Sequence, residues 1–180
     1  MTKIQNDNTK LHDKMTKCKL LPTIGFDKVR FGMKAAQVKA ILGKPDEEYD
    51  EQLGDSPDDL SHLLIYGDLG LSLSFDKSED FRLVDIMTED GCQLTLGDDI
   101  RLGDSFEEVF RKAQKADYGP IEECEIDDEL DDDEEEEAKG LAEYELPDVS
   151  VNLWFKYGKL DTIQLGPEYG DDDSIIWPED

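Results

Sequence analysis

The chain has 180 residues, of which 47 are Asp or Glu and 19 are Lys or Arg, so its formal net charge is -28. The hydrophobic fraction of 37% is low but sufficient for one core of ordinary size, which excludes a wholly disordered acidic chain. A charge this negative repels phosphate. Composition therefore argues against direct binding to nucleic acid or to an anionic membrane, and it predicts a basic protein partner.

Signals for membrane insertion, export and catalysis are missing from the sequence. No run approaches the roughly 20 apolar residues that span a bilayer, and residues 1–20 lack the apolar centre of a signal peptide, so we expect a cytoplasmic protein. Three cysteines at wide spacings favour reduced thiols. The two histidines, His12 and His62, fall in segments predicted as tail or loop. We therefore expect no catalytic residues, no metal site and no cofactor, and we predict that the protein is not an enzyme.

In chain order, the first predicted element is a helix over residues 34–42. The segment Val-Arg-Phe-Gly at 29–32 precedes it, and Gly-Lys-Pro at 43–45 ends it. Strand-like alternation follows over 63–66 and 69–75, and a turn then leads to a further strand over 82–86. The helix is expected to present three apolar residues to a core: Val38, Ile41 and Leu42.

The same order of signals recurs 71 residues later. Ile-Arg-Leu-Gly at 100–103 precedes a second helix, which opens with a capping box formed by Ser105 and Glu108 and stops at Gly119. Its apolar face consists of Phe106, Val109, Phe110 and Ala113. Three features match the strands of the second unit to those of the first. Tyr144 corresponds to Tyr66, the alternation over 149–155 corresponds to that over 69–75, and the run 159–163 corresponds to the strand over 82–86.

This repetition predicts an α+β fold in which two tandem helix-plus-antiparallel-sheet repeats form one domain. Each repeat is expected to contain one helix and three strands. The predicted organisation is an N-terminal tail over 1–23, repeat 1 over 24–91, repeat 2 over 92–167 with an acidic insertion at 121–137, and a C-terminal tail over 168–180.

The segment from Val29 to Pro45 also carries a family resemblance. Its Gly-Met at 32–33, its Val38 and its Leu-Gly-Lys-Pro at 42–45 resemble the signature of the β-lactamase-inhibitor-like superfold, which is shared with small outer-membrane assembly lipoproteins of the SmpA/OmlA type. The resemblance covers residues 24–167 and implies tandem units in which helices cover one face of an antiparallel sheet. Because a fold hosts many activities, the resemblance does not by itself assign a function.

Acidic residues are concentrated in two predicted connections. Between residues 121 and 137, 13 of 17 residues are Asp or Glu, and between residues 46 and 62 the number is 8 of 17. Such runs are often solvated surface, but a long insertion inside a compact unit is uncommon unless it is functional. The runs lack the Gly-interrupted spacing of a calcium loop, so we expect no specific metal site.

The sheet face turned away from the helices is the second predicted contact surface. If Val151 and Leu153 face the helices, alternation places small and polar residues of both units on the other face, including Gly70 and Ser72, together with Trp154. Trp154 either anchors a partner or packs within the fold. The predicted partner-binding residues are Asp131, Asp132, Asp133, Glu134, Glu135, Glu136, Trp154, Asn152, Ser150, Asp58 and Asp59.

These observations favour a cytoplasmic immunity protein, an antitoxin that neutralises a cognate, basic toxin enzyme by covering its active site. A nuclease is the favoured target, because its substrate groove is positively charged and the carboxylates can occupy it as phosphates would. Two alternatives remain open: a non-enzymatic adaptor or scaffold protein, and a DNA-mimic inhibitor of a DNA-binding protein.

Overall fold

A computed structural model describes residues 18–124 and 140–179. These residues form the predicted α+β fold, with helices α1 (Ala35–Leu42) and α2 (Phe106–Ala116) beside extensive antiparallel sheet. The strands are β1 Lys19–Leu21, β2 Gly25–Phe26, β3 Val29–Arg30, β4 Glu47–Gln52, β5 Leu60–Tyr66, β6 Leu71–Asp76, β7 Arg82–Thr88, β8 Thr95–Leu96, β9 Glu122–Cys124, β10 Leu141–Leu146, β11 Val151–Lys156, β12 Lys159–Leu165, β13 Glu168–Tyr169 and β14 Ile175–Ile176.

The main sheet has eight strands in the order β4-β5-β6-β7-β12-β11-β10-β9, and every neighbouring pair is antiparallel. Its first half is β4–β7 and its second half is β9–β12. The halves join through β7 and β12, where Met87 lies opposite Gln164 and Ile86 lies opposite Leu165. The backbone N–H of Ile163 also donates to the Thr88 hydroxyl across this seam at 2.8 Å. The sheet is therefore continuous from one half to the other.

One hydrophobic core joins the two halves and both helices. Alternate residues of the central strands point into it because successive side chains of a strand face opposite sides. Burial of each large aliphatic side chain in this core stabilises the fold by about 1.5–3 kcal/mol. The core includes Val38 and Leu42 from α1, Val109 and Ala113 from α2, Leu71, Leu73, Phe75 and Ile86 from the first half, and Val151, Leu153, Phe155 and Ile163 from the second half.

A small four-stranded sheet of order β3-β2-β1-β8 closes the core on the helix side. Its residues Leu20, Phe26, Val29 and Leu96 are fully buried. Residues 19–21 lie in the segment that the sequence assigned to the N-terminal tail. The strand escaped detection because it has three residues and pairs in parallel with β8, 76 positions along the chain.

The two helices begin in different ways. The predicted capping box of α2 is confirmed, since the N–H of Ser105 donates to Glu108 Oε2 at 2.9 Å and the N–H of Glu108 donates to Ser105 Oγ at 3.4 Å. At α1 only half of this arrangement is present: Gln37 accepts from the N–H of Lys34 at 2.8 Å. The predicted apolar face of α2 is too wide by one residue, because Phe110 is 39% exposed.

The first acidic connection contains a strand that the sequence did not predict. All six residues of β4 are exposed, so no face is buried and no alternation of apolar residues can mark it. With β9 on the opposite outer side, each half has four strands, and the prediction of three is wrong. His62 belongs to β5, where its ring nitrogens lie 2.6 Å from Asp50 Oδ1 and 3.0 Å from Glu48 Oε1, so its prediction as a loop residue is also wrong.

Three further residue assignments need correction. The position of Tyr66 in the first half is taken by Leu146 in the second, since both precede a 3-10 turn with similar backbone angles (φ -116°, ψ 77° and φ -115°, ψ 82°). Leu69 and Val149 lie in these turns and not in the strands that follow them. Gly70 does not belong to the open face, because a Cβ there would lie 2.5 Å from the backbone nitrogen of Cys92.

Candidate functional site

The face of the main sheet opposite the helices carries an open groove of about 940 Å³, here called the sheet groove. One row of residues in register crosses all eight strands on this face, because residues directly opposite each other across antiparallel strands point to the same side. The row supplies Met87, Ser72 and Ile65 to the floor of the sheet groove. In strand order it reads Glu47, Ile65, Ser72, Met87, Gln164, Asn152, Glu145 and Glu122.

Small side chains on β6 give the sheet groove its depth. Ser72 and Ser74 lie on its floor, flanked by Leu63 of β5. At the corresponding places of the second half, counted from the start of the strand, β11 carries the larger Asn152 and Trp154. The groove therefore lies mainly over the first half of the sheet, where the sequence leaves room.

A β-bulge turns two consecutive residues of β7 towards the sheet groove. Ser74 is opposite Asp85 and Phe75 is opposite Leu83, which leaves Val84 as an additional residue on β7. The regular alternation is interrupted there, and both Val84 and Asp85 line the groove. Without the bulge, one of these two side chains would point into the core.

Asp85 is held at the seam of the sheet by a chain of amide groups. Gln164 Nε2 donates to Asp85 Oδ1 at 2.6 Å, and Asn152 Nδ2 donates to Gln164 Oε1 at 3.4 Å. Burial raises the pKa of Asp85 to about 7; the Gln164 hydrogen bond opposes this rise, and the charge of Asp76 adds to it. Near neutral pH this carboxyl group therefore exists in both protonation states.

Six further acidic side chains line the sheet groove around Asp85. Of the lining residues that the structure describes, seven are therefore Asp or Glu, Asp85 included, and none is Lys or Arg. This one-sided charge concentrates negative potential in the groove. The seven are Glu51, Asp76, Glu79, Asp85, Glu89, Glu145 and Asp173.

The C-terminal segment forms one wall of the sheet groove. The hairpin β13–β14 contributes Tyr169, Asp173 and Ile175 to the lining. Tyr169 lines the groove together with Asp76, Glu79 and Asp85, and it is 55% exposed. Burial raises the pKa of Tyr169, and the negative charges of these three carboxyl groups raise it further. The segment is anchored by Trp177, whose ring lies 5.3 Å from the Arg82 guanidinium carbon.

Among the predicted site residues, Asn152 and Ser150 line the sheet groove, and Trp154 does not. Trp154 is partly buried and lies in the row that runs through Glu143 and Thr162, beyond the groove on the same face. The structure thus separates the predicted aromatic anchor from the main depression of the face.

Asp58 and Asp59 lie in the β4–β5 loop, beside a smaller hollow of about 200 Å³. Asp58 pairs with Lys77 at 3.1 Å, and Asp59 Oδ2 accepts from the N–H of Ser56 at 3.0 Å. The backbone carbonyl of Asp59 also accepts from Leu53 at 2.7 Å. Both residues are thus engaged in shaping their own loop.

The predicted residues Asp131, Asp132, Asp133, Glu134, Glu135 and Glu136 lie outside the described residues. The described chain ends at Cys124 in β9 and resumes at Gly140, just before β10. Because all neighbouring strands are antiparallel, this point and the β4–β5 loop are at opposite ends of the sheet.

The sequence reasoning missed Asp85, Gln164 and Tyr169. A signal for Asp85 was available, since it is a carboxylate inside the apolar run Leu83 to Ile86. A charged residue in such a run is either paired or functional, because burying it alone is costly. No comparable signal marked Gln164 or Tyr169.

Within residues 18–124 and 140–179, no group of three or more His, Cys, Asp or Glu side chains is arranged to hold a metal ion. Neither of the described helices is long and apolar enough to cross a bilayer. Comparison with known proteins gave no match, whether to family models, to curated proteins or to solved structures.

Proposed function

We propose that this chain is a non-enzymatic inhibitor of the immunity type, which binds a basic toxin enzyme in the cytoplasm and blocks its active site. The observation that carries the proposal is the sheet groove, with a floor of mixed apolar and small polar side chains, seven carboxyl groups and no basic lining residue among those described. A partly apolar patch that carries one sign of charge suits a protein segment of the opposite charge. The net charge of -28 supports the same choice of partner.

The proposal includes a tandem-repeat architecture. Each half of the main sheet follows a helix, contains four antiparallel strands and includes a 3-10 turn before its third strand. The β-bulges fall at Ser74/Phe75 and at Trp154/Phe155, which are corresponding places in β6 and β11. Shared irregularities of this kind support two related units, as does the resemblance to the β-lactamase-inhibitor-like superfold.

A nuclease is the toxin class that we favour. Its substrate groove has to attract phosphate, so its active site is the most positive part of its surface. An inhibitor that carries carboxylates both on a concave face and in the 121–137 segment can compete for the same positive charges. Charges at a contact rim act mainly on the rate of association, and buried groups act on dissociation.

The first test is capture of partners on the full-length chain followed by an activity assay of the purified partner. We expect a basic enzyme whose activity falls to zero at one equivalent of this protein. Its association rate should fall at least tenfold between about 50 and 500 mM salt, because the Debye length shortens over that range. A captured partner that keeps full activity at saturation contradicts inhibition and favours the adaptor function.

A second test separates the regions of the open face. In the complex, Trp154→Ala should raise the dissociation rate more than tenfold if Trp154 anchors the partner. Replacing Asp131 to Glu136 by Asn and Gln should instead slow association. If Trp154→Ala lowers the melting temperature while the folded protein keeps its normal dissociation rate, Trp154 serves the fold and is not part of the contact. A resident DNA-binding protein as partner would favour the DNA-mimic alternative.

A further inference from the structure

The centre of the sheet groove contains a fixed carboxyl group with one oxygen left for a ligand. Gln164 holds Asp85 Oδ1 at 2.6 Å, and among the described residues no side chain donates to the other oxygen. Asp85 lies where the two halves of the sheet join, with the floor residues Met87 and Ser74 beside it. A carboxyl group oriented in this way is a ready acceptor for a positively charged donor.

We propose that the sheet groove receives an arginine side chain of the protein partner, with Asp85 as the group that pairs with its guanidinium. This inference rests on the proposed function, which it deepens by naming the part of the partner that enters the groove. The commitment to a cation follows from charge complementarity, because the seven carboxyl groups of the lining have no basic counterpart among the described residues.

Arginine fits the lining better than lysine does. Its planar guanidinium has five N–H donors, so it can pair with Asp85 and still donate to a lining hydroxyl such as that of Ser74, which lies opposite Asp85. The apolar lining residues, among them Met87 and Ile65, suit the methylene stem, and the exposed ring of Tyr169 offers a face on which a guanidinium can stack.

Binding should depend on pH because only the ionised carboxyl group attracts the cation. With a pKa of about 7 in the free protein, Asp85 is about tenfold more ionised at pH 8 than at pH 6, so affinity should rise about tenfold over this interval. The other titratable groups that line the groove around this centre are Asp76 at the end of β6, Glu79 after β6, Glu89 after β7, Tyr49 and Glu51 on β4, Glu145 on β10, and Tyr169 and Asp173 on the C-terminal hairpin.

The experiment is an NMR titration of the full-length chain with N-acetyl-arginine amide, which requires no knowledge of the partner. The uncharged isostere N-acetyl-citrulline amide is the matched control ligand. We expect saturable shifts of amide signals on β6, β7 and β12 with the arginine probe and none with citrulline. Affinity should increase about tenfold from pH 6 to pH 8.

Two variants test the role of the groove. Asp85→Asn keeps an oxygen for the Gln164 hydrogen bond and should weaken binding of the arginine probe at least fivefold at pH 8. Ser74→Trp introduces at position 74 the same side chain that β11 carries at the corresponding position, Trp154. The indole should fill the groove and abolish binding of the arginine probe. Asp161→Asn is the control, since Asp161 is the additional residue of the corresponding bulge on β12, is exposed and does not line the groove.

The proposal is overturned if Asp85→Asn and Asp161→Asn weaken binding equally, or if the shifts are spread over all acidic surfaces. It is also overturned if citrulline binds as well as arginine does. These outcomes differ from failure of the proposed function, which would appear as a captured partner that stays active, whatever the result with the small probe.

Discussion

The two halves of the main sheet have closely similar backbones and different open faces. Each follows a helix, forms a four-stranded meander and has a bulge at a corresponding place, yet the first half carries Ser72, Ser74 and Asp85 where the second carries Asn152, Trp154 and Thr162. The smaller side chains of the first half leave room for the groove. Similar strand connections therefore do not require similar surfaces.

The strongest test of this comparison concerns the shared core. Ile86 and Ile163 occupy corresponding places in β7 and β12, and both are fully buried. Replacing either by Ala should cost about 3 kcal/mol of unfolding free energy, because each leaves a cavity that the neighbours cannot fill. Denaturation followed by circular dichroism should give one transition for both variants, shifted by similar amounts.

Two separate transitions, each sensitive to only one of the substitutions, would contradict the view that the halves share a core. In that case the seam between β7 and β12 would be an interface between domains.

Asp85 in the first half should make the folding stability depend on pH. Its pKa is raised from 3.8 to about 7 in the folded protein, so the folded state keeps a proton that the unfolded state releases, and stability falls as the pH rises between these values. Asn has no ionisable carboxyl group, so in Asp85→Asn this loss of stability with rising pH is absent. The substitution should therefore stabilise the protein at pH 8 relative to wild type by about 2 kcal/mol, after allowance for partial exposure, and the gain should shrink towards pH 4.

Thermal unfolding of Asp85→Asn from pH 4 to pH 8 measures this gain. The control is again Asp161→Asn in the second half, an exposed residue that does not line the groove. A pH-independent effect of Asp85→Asn would mean that the carboxyl group is solvated in the native protein.

Substitutions at the N-termini of the two helices should differ in their cost to stability, by less than the effects above. Ser105→Ala removes the side-chain cap of α2 and should cost about 1 kcal/mol. Lys34→Ala at the start of α1 removes an exposed ion pair with Asp80 and a hydrogen bond to the Asp80 backbone carbonyl, and it should cost less than Ser105→Ala because both contacts are exposed to solvent. Urea denaturation of the two variants decides this, and equal costs would show that Lys34 contributes more than its exposed contacts indicate.

The smallest effect is expected at Asp58 in the loop of the first half. Its side chain is 76% exposed, and its ion pair with Lys77 is screened by solvent, so Asp58→Asn should change stability by less than about 0.5 kcal/mol. The same variant should leave binding of the arginine probe unchanged. A loss of that binding would extend the contact surface to the β4–β5 loop.

The sequence predicted what local patterns encode. Helix α2 followed from the Ser105 to Glu108 capping box and its apolar spacing, and the strands of the core followed from alternation. The strand β4 could not be predicted because both of its faces are exposed, and β1 could not because its partner β8 is remote in the chain. The site was only partly predictable. Asn152 and Ser150 followed from alternation, whereas the position of Asp85 depends on a bulge that has no sequence signature.

The outer strands β4 and β9 also bear on how copies of this protein meet. Each presents unpaired backbone donors and acceptors at a margin of the main sheet within the described residues, and such margins pair readily with one another. Glu47, Glu48, Asp50 and Glu51 on β4, and Glu122 and Glu123 on β9, make this pairing repulsive near neutral pH. Replacing these carboxylates by Asn and Gln removes the repulsion, and the concentrated protein should then associate through its sheet margins.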